Sequence, residues 1–307
     1  MIFPKKYPLS SIKRLISGWK ECSFERYQQA YSLYGGGIST HPDIVRFLNE
    51  KFGNNFIFYV KENPQIENVI EGAYFTCKDH HLAASHQKDY HFFTYDEIIF
   101  PIAKHLKTII PGKAKTISLL HKENFINVFY GRLNKRTVCL AKENFSYKTR
   151  RNRSNEINKF KRSGGEIHQI NDFTCQEFID IYTTLYEKRW TYKTHNEEEK
   201  EKLTELYTEL KQHLYGNVLT INGAPVAYDL VIKADSPQWI SFDAVDGGLD
   251  PEYSNLSVGS ILMWLNIQNA SELCQQQQKI MRYSIGRPSL AYKDRWCNRH
   301  PLARTLF

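Results

Sequence analysis

One segment of the chain, residues 216–287, limits the fold more than any other. Asn222-Gly223 stands between two alternating apolar and polar runs, which is typical of a two-residue β-hairpin. A turn at 234–237 predicts a third antiparallel strand, and an apolar helical run follows residue 257. A further strand is expected at 279–287. A strand meander, loop, helix and strand predict a mixed α+β fold.

The rest of the chain is mixed in the same way, because apolar residues recur with helical spacing in some segments and with strand spacing in others. Strands are expected at 56–60, 69–76, 115–120, 125–131 and 166–170, and helices at 40–53, 142–162, 174–190 and 197–215. We place a boundary between an N-terminal lobe, 1–147, and a C-terminal lobe, 148–307. No apolar run is long enough to cross a bilayer.

The positive charge of the chain is concentrated in one block. The net charge is +8, and residues 142–162 alone hold eight Lys and Arg against two Glu. Such a block binds phosphates of a nucleotide, nucleic acid or anionic lipid, or it is a solvated helix face, and both interpretations stay open. Aromatic residues are too few near the block for a base-stacking platform, so sequence-specific DNA binding is not expected.

The N-terminus and the cysteines bear on location. Leu9, Ile12, Leu15, Ile16 and Trp19 have helical spacing among basic residues. Such a helix lies on an anionic membrane surface, or it docks on the core of its own protein, and both alternatives stay open. Six scattered cysteines without a Cys-x-x-Cys pair are typical of reduced thiols, so a cytoplasmic protein is expected, with peripheral attachment to the inner membrane as the finer alternative.

Gly259 stands near the start of the predicted helix, where glycine costs about 1 kcal/mol against alanine. A residue without a side chain is useful where a ligand comes close to the backbone, and a helix N-terminus attracts phosphate. Ser257 is a candidate cap for this helix. The alternative is a glycine required by tight packing.

Several motifs in order resemble one group of enzymes. The stretches NGAPVAYDLVI, DPEYSNLSVGSIL, RYSIG and AYKDRW resemble the second lobe of GNAT-fold acyltransferases of the cellulose-biosynthesis type, which are related to the Fem-type aminoacyltransferases. RRNRSNEINKFKRSGG and YEKRW also match in position. The resemblance covers 145–297 well and implies two tandem GNAT-like lobes. The chain also resembles the macrophage-induced (Mig) antimicrobial-peptide resistance family of enteric bacteria, whose members associate with the inner membrane.

The resemblance implies a donor site for acetyl-CoA or another acyl-CoA. Its pyrophosphate would meet the amides of Val258, Gly259 and Ser260, with Lys293 and Arg295 near the acceptor or the cofactor phosphates. The implied activity is acyl transfer to an amine or hydroxyl of a small molecule or envelope component. Two alternatives remain, a Fem-type aminoacyl-tRNA-dependent transferase and a catalytically silent GNAT-fold protein that binds a membrane surface.

Acyl transfer needs a base for the acceptor and a proton for the leaving thiolate. Asp243 lies in mid-strand, where burial raises a carboxyl pKa, and Asp229 on the neighbouring strand is the rival base. Tyr283 and Tyr292 are the candidate proton donors. A structural, hydrogen-bonded role is the alternative for all of these residues.

Residues 77–91 are rich in histidine but do not have the spacing of a zinc motif. We expect a polar surface loop there and no metal. The sequence also contains no Gly-x-Ser-x-Gly, His-Glu-x-x-His or Walker motif, so hydrolase and ATPase functions have no support.

Overall fold

The structure is a computed structural model that describes residues 14, 16–77, 80–85, 90–131, 134–190 and 197–306. The α-helices of this part are α1 Phe24–Tyr34, α2 Pro42–Lys51, α3 Tyr147–Arg162, α4 Cys175–Arg189, α5 Glu197–Glu209 and α6 Val258–Gln276. Its strands are β1 Lys20–Cys22, β2 Ile57–Glu62, β3 Ile70–Thr76, β4 Val128–Phe129, β5 Thr137–Ala141, β6 Gly165–Gln169, β7 Leu214–Tyr215, β8 Asn217–Ile221, β9 Ala224–Asp235, β10 Trp239–Leu249, β11 Ile280–Ser284, β12 Cys297–Pro301 and β13 Arg304–Thr305. The α+β class is confirmed.

The larger sheet contains the predicted meander. Its main path runs β12-β5-β11-β10-β9-β8-β6, with β7 paired to β9. Strands β8, β9 and β10 are antiparallel neighbours, whereas β10 and β11 are parallel and joined through α6. Asn222 and Gly223 both have positive φ, 49° and 82°, as the β8–β9 hairpin turn requires. This order of meander, helix and parallel strand is the GNAT-like arrangement that the resemblance implies.

The two faces of the larger sheet pack against different partners. On one face, Tyr228 of β9 packs on Tyr182 of α4, with ring centroids 4.9 Å apart, in a core shared with the N-terminal lobe. On the other face, Phe242 of β10 joins Tyr283 of β11 and Trp264 of α6 in a separate cluster. A residue's position along β9 or β10 therefore decides whether its side chain faces the N-terminal lobe or α6.

The N-terminal lobe contains a three-stranded antiparallel sheet in the order β1-β2-β3, and every residue of β3 is buried. It is joined to the larger sheet by polar contacts as well as by the shared core. The Trp239 Nε1 donates to the Gly36 carbonyl at 2.9 Å, and Arg282 Nη2 lies 2.7 Å from both oxygens of Glu97. These contacts fix β10 and β11 against the N-terminal lobe.

Some predicted elements differ from the structure. The expected strand at 115–120 is wrong, because Ile117 forms only isolated bridges, to Ile98 and Ala303, and a short 3-10 turn follows at Leu119–His121. The expected strand at 125–131 shrinks to β4. Strand β5 lies between β11 and β12, so the larger sheet contains a strand from before the predicted boundary at 147 and 148.

The predicted N-terminal stripe lies mostly outside the described residues, which exclude Leu9, Ile12 and Leu15. Ile16 is 73% exposed, whereas Trp19 is buried and packs edge-on against Tyr74 with ring centroids 4.8 Å apart. Its Nε1 donates to the Ile109 carbonyl at 2.8 Å. The tryptophan is therefore part of the core. Within the described part of the chain, none of the helices has the length and hydropathy needed to cross a membrane.

Candidate functional site

The pairing between the two parallel strands of the larger sheet ends part-way along β10. The β10–β11 pairing begins at Trp239 and ends where Asp243 lies opposite Ser284. A β-bulge between Ala244 and Asp246 follows at once, and β10 continues to Leu249 without β11 beside it. At roughly 3.3 Å per residue, this outer part of β10 spans about 16 Å, which is long enough for an extended ligand. We call this outer part of β10, beyond Asp243 and without β11 beside it, the wedge.

Asp243 lies at the apex of the wedge, on the face toward the N-terminal lobe. Thr94 Oγ1 donates to its Oδ2 at 3.1 Å. Burial raises the pKa of Asp243 from 3.8 to about 7, and the nearby carboxylates of Asp96 and Glu97 act in the same direction. A carboxyl group with a pKa near 7 exchanges protons readily at neutral pH, as a general base must.

Asp229, the rival base, lies on the opposite face of the sheet. Burial raises its pKa to about 7, while the Arg189 guanidinium opposes the shift. Asn266 Nδ2 of α6 donates to its Oδ2 at 3.2 Å, and Asn217 Nδ2 donates to Asn266 Oδ1 at 2.5 Å. Because Asn266 is fully buried, this chain orients Asp229 rigidly. Asp229 is therefore tied into the core beneath the wedge.

Sequence reasoning missed a third carboxylate and an arginine in the wedge. The Tyr182 hydroxyl donates to Asp246 Oδ2 at 2.8 Å, and burial raises the pKa of Asp246. Arg189 Nη1, from the YEKRW stretch at the end of α4, donates to the Gly247 carbonyl at 2.5 Å. The aspartate could have been found by its strand position, but the contact of Arg189 with β10 depends on tertiary packing.

The two candidate proton donors differ in burial. Tyr283 is buried against Phe242, and its hydroxyl has no hydrogen-bond partner among the described residues, although Asn266 is close enough to influence its pKa. Burial raises that pKa, and the charges of Asp229 and Asp243 raise it further. Tyr292 is 41% exposed, and burial of its hydroxyl also raises its pKa. Both phenols therefore stay protonated at neutral pH and are able to donate.

The N-terminus of α6 lies at the outer end of β10. Ser257 has left-handed backbone angles, φ 58° and ψ 31°, and its side chain makes no capping hydrogen bond, so the predicted cap is wrong. Gly259 is exposed, and an added Cβ would meet only Leu249 Cδ2, at 3.5 Å. Ordinary van der Waals contact of this kind does not require glycine, so tight packing does not explain the residue.

The first amides of α6 are not all equivalent. The Ser260 amide donates to the Ser257 carbonyl at 2.9 Å. Among the described residues, no backbone carbonyl accepts from Val258 or Gly259. These two N–H groups, with the positive end of the helix dipole, give the start of α6 the chemistry that favours anions.

Lys293 and Arg295 lie in a short turn after β11. Lys293 Nζ donates to the carbonyls of Ile285 and Arg287 at 2.6 and 2.9 Å, and burial lowers its pKa. Its ammonium therefore fixes the chain leaving β11. Arg295 is exposed, and its carbonyl accepts from Lys142 Nζ at 3.2 Å.

The basic block forms α3, as predicted, and this helix flanks the loop before α6. Lys159 Nζ donates to the Asn255 carbonyl at 3.0 Å. Lys148, Arg150 and Arg151 are exposed near the other end of α3. Lys159 therefore lies beside the loop before α6, whereas these three cations lie roughly two helical turns or more away along α3.

A group of side chains with the chemistry of a metal site lies away from the wedge, and away from the histidine-rich stretch 77–91. His213 Nε2 lies 3.2 Å from Asp43 Oδ2, and His41 Nδ1 lies 3.9 Å from the same atom. His213 Nδ1 lies 2.8 Å from the Lys233 carbonyl. Because a carbonyl oxygen can only accept a hydrogen bond, Nδ1 is the donor. The group joins the two lobes and has no contact with the wedge.

Comparisons with solved structures give distant similarities. A conserved protein of unknown function from Bacteroides thetaiotaomicron has 11% identity and a TM-score of 0.47, over 94% of this chain and 100% of that one. L-PGS from Bacillus licheniformis has 12% identity and a TM-score of 0.42, over 93% and 92%. A possible acetyltransferase from Clostridium difficile 630 has 16% identity and a TM-score of 0.32, over 42% and 85%. Similarities at this level do not identify an activity.

No curated protein matches the chain. A family model does, and it covers most of the two lobes, including the wedge, the α6 N-terminus and every candidate site residue. Since the Mig-14 model matches residues 41–305, the chain belongs to the Mig-14 family.

Proposed function

We propose that the protein is an acyltransferase that holds an acyl-CoA in the wedge and transfers the acyl group to an amine or hydroxyl. The observation that carries this proposal is the separation of β10 from β11 directly after Asp243 and Ser284. Beyond this pair, the part of β10 that β11 does not cover has a carboxyl with a raised pKa at its start and the N-terminus of α6 at its outer end. In this arrangement the pantetheine arm lies along β10, and the pyrophosphate meets the amides of Val258 and Gly259.

In the proposed reaction, Asp243 takes the proton of the acceptor as its nitrogen or oxygen attacks the thioester carbon. The new acyl bond forms and the carbon–sulfur bond breaks. The leaving thiolate takes a proton from a tyrosine hydroxyl, for which the partly exposed Tyr292 is better placed than the buried Tyr283 to exchange protons with water. Asp229 is held by Asn266 and keeps a structural role in this assignment.

Titration of the protein with acetyl-CoA and longer acyl-CoAs, followed by melting temperature, tests the proposal. A bound donor raises apparent stability with the logarithm of its concentration over its dissociation constant. Release of free thiol in the presence of amine acceptors tests turnover. A protein that shows neither a stability shift nor thiol release with any acyl-CoA is not a CoA-dependent transferase.

A tRNA-linked donor is the second candidate, and the exposed cations along α3, together with Lys159 beside the loop before α6, favour it. Phosphate contacts by these cations predict tRNA binding that weakens steeply with salt. Arg150→Gln with Arg151→Gln should reduce that binding. If tRNA binds and acyl-CoA does not, the donor is an aminoacyl-tRNA.

The proposal extends to location and physiology through the family resemblance. We propose peripheral attachment to the inner membrane and an acceptor in the envelope, with a contribution to resistance against antimicrobial peptides. Survival of a deletion strain under a cationic peptide, complemented by the native protein or by Asp243→Asn, tests this. Equal rescue by the native protein and by Asp243→Asn would show that resistance does not depend on catalysis.

A further inference from the structure

A second cavity lies on the other side of Asp243 from the wedge. It has a volume of about 790 Å³ and lies between residues of the N-terminal lobe, the segment after β11 and the C-terminal strand β13. This volume is in the range of ligand-binding clefts for molecules of moderate size. We call it the inter-lobe cleft.

The lining of the inter-lobe cleft is strongly positive. Five of its described residues are Lys or Arg, two are His and one is acidic; the Lys and Arg residues are Lys113, Lys115, Arg136, Arg287 and Arg304. The acid is Asp96, which already accepts from Arg287 Nε at 2.6 Å. The other four cations form no ion pair with a described residue. Repulsion among such charges costs stability and is relieved when an anion binds.

The cleft reaches the reacting centre through one side chain. Thr94 lines the cleft, and its Oγ1 is the group that donates to Asp243 Oδ2. Asp96 also lines it and is close enough to raise the pKa of Asp243. The cleft is therefore connected to the proposed base by the hydroxyl of Thr94.

We propose that the inter-lobe cleft is the acceptor site and that the acceptor carries a phosphate group. This inference rests on the proposed function, because only a transferase has an acceptor. Binding in the cleft is nevertheless testable without any donor. The guanidinium groups of Arg136 and Arg304 match the geometry of phosphate oxygens, which accept paired N–H donors. The phosphate binds the cations while the amine or hydroxyl of the same molecule reaches Asp243 past Thr94. The acceptor proton then passes to Asp243 as the acyl bond forms.

A smaller cavity extends the positive surface. It has a volume of about 220 Å³, shares Asp96, Thr116, Arg136 and Arg287 with the inter-lobe cleft, and adds Lys135. The positive field therefore extends beyond the cleft, which favours capture of an acceptor with more than one anionic group or with a charged surface around it.

The test uses glycerol 3-phosphate as the soluble probe and calorimetry on the full chain. The double variant Arg136→Gln, Arg304→Gln should weaken binding by at least about tenfold, because each lost charge-assisted contact is worth about a factor of ten or more. Lys122→Gln, which removes an exposed cation outside the cleft and outside α3, is the control and should bind as the native protein does. Melting temperatures of all variants show whether they are folded.

Donor-side and cleft-side binding are separated by Gly259→Asp. Probe binding that survives Gly259→Asp and falls in the double variant supports the cleft, whatever the outcome for acyl-CoA. Binding that falls in Gly259→Asp and survives in the double variant places the phosphate at α6 and overturns the proposal. Acyl-CoA binding should be unchanged in the double variant.

Vesicles distinguish a lipid headgroup from a soluble phosphate compound. Sedimentation with phosphatidylcholine vesicles, with and without phosphatidylglycerol, is compared for the native protein, the double variant and Lys122→Gln. Loss of phosphatidylglycerol-dependent binding in the double variant alone assigns the phosphate to a lipid, whereas glycerol 3-phosphate binding without vesicle binding assigns it to a soluble compound. A double variant indistinguishable from the control with both probes, or no binding of either probe by the native protein, overturns the proposal.

Discussion

Asp243 of β10 lies opposite Ser284 of β11 in the last pair that these two parallel strands form. A β-bulge in the pairing of β10 with β9 follows, between Ala244 and Asp246. The end of the β10–β11 pairing therefore coincides with the carboxyl group that we propose as the base.

Replacing Asp243 with asparagine should lower acyl transfer by about 100-fold to 10,000-fold, the usual contribution of a general base. In the native protein the rate should rise with pH through about 7, the pKa of the buried carboxyl, and then level off. The variant should lose this inflection. Its circular dichroism spectrum, compared with that of the native protein, checks that the fold is retained.

Asp229→Asn is the matched control, because both carboxyls have a pKa of about 7. Asparagine can still accept from Asn266, so the buried chain is preserved. We expect activity within a few-fold of native and an unchanged pH inflection. An inflection lost in Asp229→Asn and kept in Asp243→Asn would exchange the two roles.

Stability should also depend on Asp243 in a defined pH window. Its pKa is raised from 3.8 to about 7 on folding, so between these values the folded protein retains a proton that the unfolded chain releases. The contribution of the group to stability therefore falls as pH rises through the window. Asp243→Asn should become more stable than the native protein by on the order of 1–3 kcal/mol above pH 7, after allowance for solvent contact. Urea unfolding at several pH values measures it; a difference that does not grow between about pH 4 and 7 contradicts the shift.

We expect the N-terminal residues to affect membrane binding and Trp19 to affect stability. Deleting residues 1–13 should weaken binding to anionic vesicles, in a salt-sensitive way, while the melting temperature stays close to native. Trp19→Ala removes a buried side chain and should cost about 3–5 kcal/mol of unfolding free energy. A large loss of stability in the deletion would show that those residues belong to the core.

Local signals predicted much of the fold. The Asn222-Gly223 turn predicted the β8–β9 hairpin, because both residues of this turn need positive φ. The helix at 147–162 and its neighbours followed from periodicity and glycine positions. The strand expected at 115–120 is wrong, although the segment has an alternating apolar pattern. It forms single bridges to distant segments and does not pair along its length with a neighbouring strand.

The site was predictable only in part, because its parts come from distant segments. Asp243, Tyr283 and Gly259 were found from strand and helix positions. Thr94, which bonds to Asp243 across 149 residues of chain, and Arg189, which reaches β10, have no local signal. Likewise the group of described residues with the chemistry of a metal site is His41, Asp43 and His213, which come from distant segments and not from the dense stretch at 77–91.

The central claim is that a donor pyrophosphate binds the first turn of α6, and Gly259→Asp tests it most directly. The fold should tolerate the change, because the position is exposed and acidic residues are favoured in the first helical turn. Gly259→Ala adds the Cβ without the charge and serves as the control. Melting temperature and acyl-CoA binding are measured side by side on both variants and the native protein. Near-native melting of both, with acyl-CoA binding lost in Gly259→Asp and largely retained in Gly259→Ala, is the predicted result; normal binding by a folded Gly259→Asp protein, or its unfolding, would contradict the account.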